Sequence, residues 1–157
     1  MSIYKLETLM EETRRLAADY RQSTGQTLPV SGELARFDAM RLLGLTPAIG
    51  SERGVDAILE MAAGPRKVQI KGRVIFDHDK KPPRIGQLNL DANWDITVLV
   101  VMDARYRPQR IFQLDHNALT QSLSQEKGNS RGAMSVKKFE KLAQICWQAD
   151  TSESLSE

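Results

Sequence analysis

Residues 2 to about 22 place Ile3, Leu6, Met10, Ala17 and Tyr20 at spacings of about three and four, widened by Leu9 and Leu16 and bordered by Glu7, Glu11, Arg14 and Arg15. That period predicts an amphipathic helix. The stretch from Gly25 to Pro29 breaks it. Ser31 is the expected N-cap of a second helix, Gly32 to about Leu43, which Gly44 and Pro47 end and whose first turn carries Glu33. From Gly54 the period drops to two. Val55, Ala57, Leu59 and Met61 alternate with Asp56, Ile58 and Glu60, as they do in a strand with one apolar face. After the turn-prone residues 62–65, Val68, Ile70, Val74 and Phe76 alternate with Lys67, Gln69, Lys71, Arg73 and Ile75, Gly72 taking one apolar position. A second strand is expected to return antiparallel to the first.

Residues 77–93 hold Pro82, Pro83 and Gly86 and predict a long loop or short edge element. Asp95 to Met102 is apolar on both faces, as a central strand is. Gln109 to Leu114 predicts an outer strand, and a short helix follows Asp115. A last helix is expected over residues 135–148, with Val136, Phe139, Leu142, Ala143 and Cys146 inward. Helices, a strand meander and helices again describe an α/β (α+β) domain. Residues 1–148 are expected to form this single domain and the polar residues 149–157 a disordered tail.

Composition narrows the function classes. The chain has 157 residues, 41% hydrophobic and 27% charged, and no apolar run approaches the roughly 18 residues that span a bilayer. Acidic residues stand where a signal peptide has its apolar centre, so a cytoplasmic location is expected. One Cys and two His do not make a closed zinc site of about four ligands. The net charge of +2 announces no nucleic-acid binding, yet residues 60–85 hold seven basic residues against three acidic ones. That local excess makes Arg66, Lys67, Arg73, Lys80, Lys81 and Arg84 candidate phosphate contacts. A solvated loop explains it as well.

The charged strand face is the most informative feature. If the two strands pair so that their apolar faces coincide, Glu60 comes opposite Lys67 and Asp56 opposite Lys71, with Gln69 diagonal to Asp56. Oxygen donors of this kind suit Mg²⁺ or Mn²⁺. The same residues also read as a solvated sheet face with cross-strand ion pairs, and Glu33 as a first-turn acid favoured by the helix dipole. The Asp77-His78-Asp79 run reads as a solvated turn, His116 as a helix cap and Trp94 as core.

Gly54-Val55-Asp56, twelve intervening residues, then Gln69-Ile70-Lys71, preceded by the Glu33 helix, resembles the PD-(D/E)XK restriction-endonuclease-like superfamily over roughly residues 31–115. Two features depart from its pattern. No Pro precedes Asp56, and Gln69 replaces the usual acid, as in the Mrr-like branch. The resemblance implies a restriction-endonuclease-like core, with a mixed central sheet flanked by helices, and Mg²⁺- or Mn²⁺-dependent hydrolysis of DNA. It makes Glu33, Asp56, Gln69 and the Ile70 carbonyl metal ligands, and Lys71 the group that positions or activates water. The neutral Gln69 keeps a second expectation open, a catalytically inactive nuclease-fold subunit of a larger assembly. A chain with one active site must pair or act twice to cut a duplex, so a homodimer is expected. The stripe on the first helix is the candidate surface, and packing of that helix on its own core is the alternative.

Overall fold

The computed structural model describes residues 3–76, 81–124 and 133–150. The first helix, α1 (Ile3–Thr24), ends at Gly25 with φ +74, and α2 (Ser31–Leu43) ends at Gly44 with φ +67, the left-handed positions at which glycine closes helices. Ser31 lies inside α2 rather than capping it. The N-cap position is Val30, with no side-chain bond.

The strands are β1 (Thr46–Pro47), β2 (Ala57–Met61), β3 (Gly64–Val74), β4 (Arg84–Ile85), β5 (Ile96–Met102), β6 (Pro108–Asp115), β7 (Met134–Ser135) and β8 (Gln144–Gln148). Six of them form one mixed sheet in the order β1-β2-β3-β5-β6-β8, and β4 pairs with β7 apart from it. Helix α3 (His116–Leu123) follows β6, and α4 (Val136–Leu142) follows β7. The strands are not a simple meander: β5 runs parallel to β3, and the other pairs in the large sheet are antiparallel.

Two apolar layers cover the sheet. On one side Ala17, Leu34, Ala35 and Ala39 of α1 and α2 pack on Val68, Ile70, Val98 and Val100. On the other, Leu119 and Leu123 of α3 and Phe139 of α4 join Leu88, Trp94, Leu99 and Phe112. Gly72 explains the close seat of α2. A Cβ there would overlap Ala35 Cβ and come 3.1 Å from the Ser31 carbonyl oxygen. Among the described residues no helix is long and apolar enough to cross a membrane.

Three expectations need correction. The helix expected over 135–148 stops at Leu142. Ala143 is extended (φ −96, ψ 172), and Gln144-Ile145-Cys146-Trp147-Gln148 form β8 against β6. The hairpin turn contains only Ala62 and Ala63, with Met61 opposite Gly64, so Glu60 faces Pro65 and Ile58 faces Lys67. The register therefore slips by two residues from the expected one while every side chain keeps its face. Gly64 at φ +122 permits this tight turn. Finally, β2 begins at Ala57, and Val55 packs in the α3–α4 layer rather than beside Ala57.

The stripe on α1 is split. Arg14, Ala17 and Ala18 are buried and Met10 packs against the core, whereas Leu6, Leu9, Leu16 and Tyr20 are exposed. Lys80, the Asp77-His78-Asp79 run and residues 151–157 of the tail lie outside the described residues.

Candidate functional site

The late start of β2 makes a notch in the sheet. Pairing of β2 with β3 ends at Ala57 and Val68, whereas β3 continues to Val74 alongside β5. Asp56 finishes what the strand leaves open. Its backbone N–H donates to the Val68 carbonyl (2.8 Å), and its carboxylate Oδ2 accepts the Ile70 N–H (2.8 Å). In an extended strand the N–H and C=O of one residue project to the same side, so the Ile70 carbonyl also faces the notch. The second oxygen of Asp56, Oδ1, has no hydrogen-bond partner among the described residues.

Alternation puts Gln69, Lys71 and Arg73 on the sheet face away from α2. Lys71 is half-buried, and its side-chain amine makes no hydrogen bond or ion pair among the described residues. Burial lowers its pKa below the ordinary 10.5 and the nearby Arg73 lowers it further, while the Asp56 charge pulls it back up. A desolvated, unpaired lysine held in the field of a carboxylate is a signature of functional sites.

Gln69, at 1% exposure, is fully engaged. Its Nε2 donates to the Leu88 carbonyl (2.9 Å) and to Thr97 Oγ1 (2.8 Å), and its Oε1 accepts Asn89 Nδ2 (3.2 Å). Asn89, in the left-handed region at φ 53, is a site neighbour that periodicity does not flag. Its carbonyl takes the N–H of Ala92 (2.9 Å) and Nε1 of Trp94 (2.9 Å), so the 88–94 segment is tightly tied. Gly54 fits against this segment. A Cβ there would lie 2.9 Å from Ala92 Cβ and 3.9 Å from Asn89 Cβ, at a φ of +78.

Glu33 is not brought to this group. It is exposed and paired with Arg36 on α2, which covers the opposite sheet face. Among the described residues no cluster of three or more His, Cys, Asp and Glu side chains is placed to hold a metal. The donors at the notch are one Asp56 oxygen, the Ile70 carbonyl and a Gln69 oxygen already bonded to Asn89. That set fits a hard divalent ion only as a partial shell. Mg²⁺ is commonly held by one or two carboxylates together with substrate phosphate and water.

The basic candidates disperse. Arg73 is half-buried, its Nε bonded to the Arg84 carbonyl (2.7 Å) and Nη1 to the Gly72 carbonyl (2.6 Å), so it straps β4 to β3 rather than facing a ligand freely. Lys67 pairs with Glu52 at 2.9 Å. Arg66 lies 3.8 Å from Asp115 and lines a cleft of about 520 Å³ with Asn93, Trp94, Asp95, His116 and Asn117. Lys81 and Arg84 are exposed, with no ion pair among the described residues. His116 does not cap α3. Its Nε2 sits 2.9 Å from the Leu90 carbonyl and its ring 4.4 Å from that of Trp94. Trp94 is core, at 2% exposure. Comparison with known proteins leaves the reading to this geometry: no protein-family model matches the chain, and no curated protein matches it.

Proposed function

We propose that this chain is a cytoplasmic, metal-dependent nuclease of the restriction-endonuclease-like type that hydrolyses DNA phosphodiester bonds at the β2–β3 notch. The observation that carries the reading is the pairing of roles at the notch. Asp56 offers an unpartnered carboxylate oxygen beside a sheet carbonyl, and Lys71 offers an unpaired amine of lowered pKa in the field of that carboxylate.

Asp56 and the Ile70 carbonyl would hold Mg²⁺ or Mn²⁺, which polarises the phosphoryl group and acidifies bound water. Lys71 acts on the nucleophile. Its lowered pKa enlarges the neutral fraction, and the neutral amine takes the proton of the attacking water. The water oxygen forms the new bond to phosphorus as the bond to the leaving oxygen breaks, and that oxygen takes a proton from solvent water. The resulting ammonium then stands beside the negative charge of the transition state. Lys81, Arg84 and Arg66 are the proposed contacts to the phosphate backbone.

To cut both strands, the proposed partner is a second copy of the chain through the exposed Leu6, Leu9, Leu16 and Tyr20 of α1. Light scattering at micromolar concentration tests that pairing. A second reading, a nuclease-fold binding subunit without cleavage, is favoured by the engagement of Gln69 and by the pairing of Glu33 with Arg36.

Supercoiled plasmid, single-stranded DNA and RNA incubated with the protein in Mg²⁺, in Mn²⁺ and in chelator separate the two. The nuclease reading expects cleavage of DNA in at least one metal and none in chelator. An intact substrate in both metals leaves the binding subunit.

A further inference from the structure

Gln69 occupies the position at which the superfamily pattern places an acidic metal ligand, and its contacts give it another task. The Leu88 carbonyl can only accept a hydrogen bond, so the amide nitrogen must face Leu88 and the amide oxygen must face Asn89. Both amide hydrogens are then consumed, by Leu88 and Thr97. Leu88 O also accepts Trp94 Nε1 (2.8 Å). Gln69 is thus the sheet-side anchor of the 88–94 segment, and that segment packs on Gly54, two residues ahead of Asp56. A carboxylate in place of this amide would face the Leu88 carbonyl with no hydrogen to give, at a site with 1% exposure.

We infer that Gln69 is a positioning residue and not a metal ligand: it holds the 88–94 segment against the backbone that presents Asp56. This rests on the nuclease reading above.

The test uses Mn²⁺ as the probe, with binding read from the loss of its free electron-spin signal. It is added to the full-length protein with and without a nuclease-resistant phosphorothioate duplex. Gln69→Glu is expected to bind Mn²⁺ no tighter than wild type in the absence of duplex, and to melt at least about 5 °C lower. Because that variant can fail to fold, Asn89→Gly, which suits the left-handed φ of 53, is the companion. It removes the donor to Gln69 Oε1 without touching Asp56. A positioning role predicts that kcat falls while Mn²⁺ affinity in the duplex complex stays within about threefold. Tighter Mn²⁺ binding by Asn89→Gly, or by a normally melting Gln69→Glu, would show Gln69 to be a ligand and overturn the inference while cleavage by the wild type keeps the nuclease reading intact. Absence of Mn²⁺ binding with and without duplex, together with absence of cleavage, overturns both.

Discussion

The two sides of the central sheet treat buried charge in opposite ways. On the α1–α2 side Arg14 is 2% exposed, and its guanidinium meets both oxygens of Asp38 (3.0 and 2.8 Å) and the Tyr106 carbonyl. On the other side Lys71 is half-buried with no such partner, and burial lowers its pKa. A charge that serves architecture is paired by the fold. A half-buried charge left unpaired stays available to a ligand, at a cost in stability that the rest of the domain must offset. The same strand serves both sides at adjacent residues, since Gly72 is pressed against Ala35 and Lys71 lies on the opposite face.

Breaking the paired side is expected to have the largest effect on the fold. Arg14→Ala leaves the buried Asp38 with the exposed Arg41 at 3.8 Å, and is expected to cost about 3–5 kcal/mol in urea unfolding. Gly72→Ala drives a methyl group into Ala35, and an expected loss of about 1–3 kcal/mol follows from overpacking between β3 and α2. The same melts are expected to show the smallest change for Lys71→Met, within about 1 kcal/mol of wild type at neutral pH, because a desolvated charge is removed with no bond broken. A loss as large as that of Arg14→Ala would make Lys71 a structural cation and erase the comparison.

The pH dependence sharpens it. Folding lowers the Lys71 pKa below the 10.5 of the unfolded chain, so the unfolded state binds more protons between those two values. The burial penalty is complete below the folded pKa and fades as pH climbs to 10.5. Wild-type stability is therefore expected to gain on that of Lys71→Met across this alkaline window. Parallel curves would contradict the lowered pKa.

Much of the sheet was legible because alternation is local. Lys67 to Ile75 carries its two faces in its own sequence, and Asp56, Gln69 and Lys71 fall beside the same face as expected. The register was not legible, because it depends on Gly64 at φ +122 and a turn shortened to Ala62 and Ala63. Strand β8 was hidden for a different reason. Phe139, Leu142, Ala143 and Cys146 continue a helical period, whereas Ile145 and Trp147 fit a strand equally well, and only pairing with β6 decides between them. The role of Gln69 was beyond reach from local pattern. Its partners Leu88 and Thr97 lie 19 and 28 residues away, and no periodicity reports a side-chain amide closing on a distant carbonyl. Glu33 illustrates the converse. Its place in the first turn was read correctly, and its partner is the neighbouring Arg36 rather than the notch.

Asp56 and Lys71 are proposed to carry chemistry while the groups around them carry structure. Plasmid cleavage by wild type, Asp56→Asn and Lys71→Met in Mn²⁺, at equal folded concentration verified by circular dichroism and melting, separates the two roles. Wild type is expected to cleave and each variant to lose at least about 100-fold, with the melting point of Lys71→Met preserved. Cleavage by Lys71→Met at the wild-type rate would overturn that division.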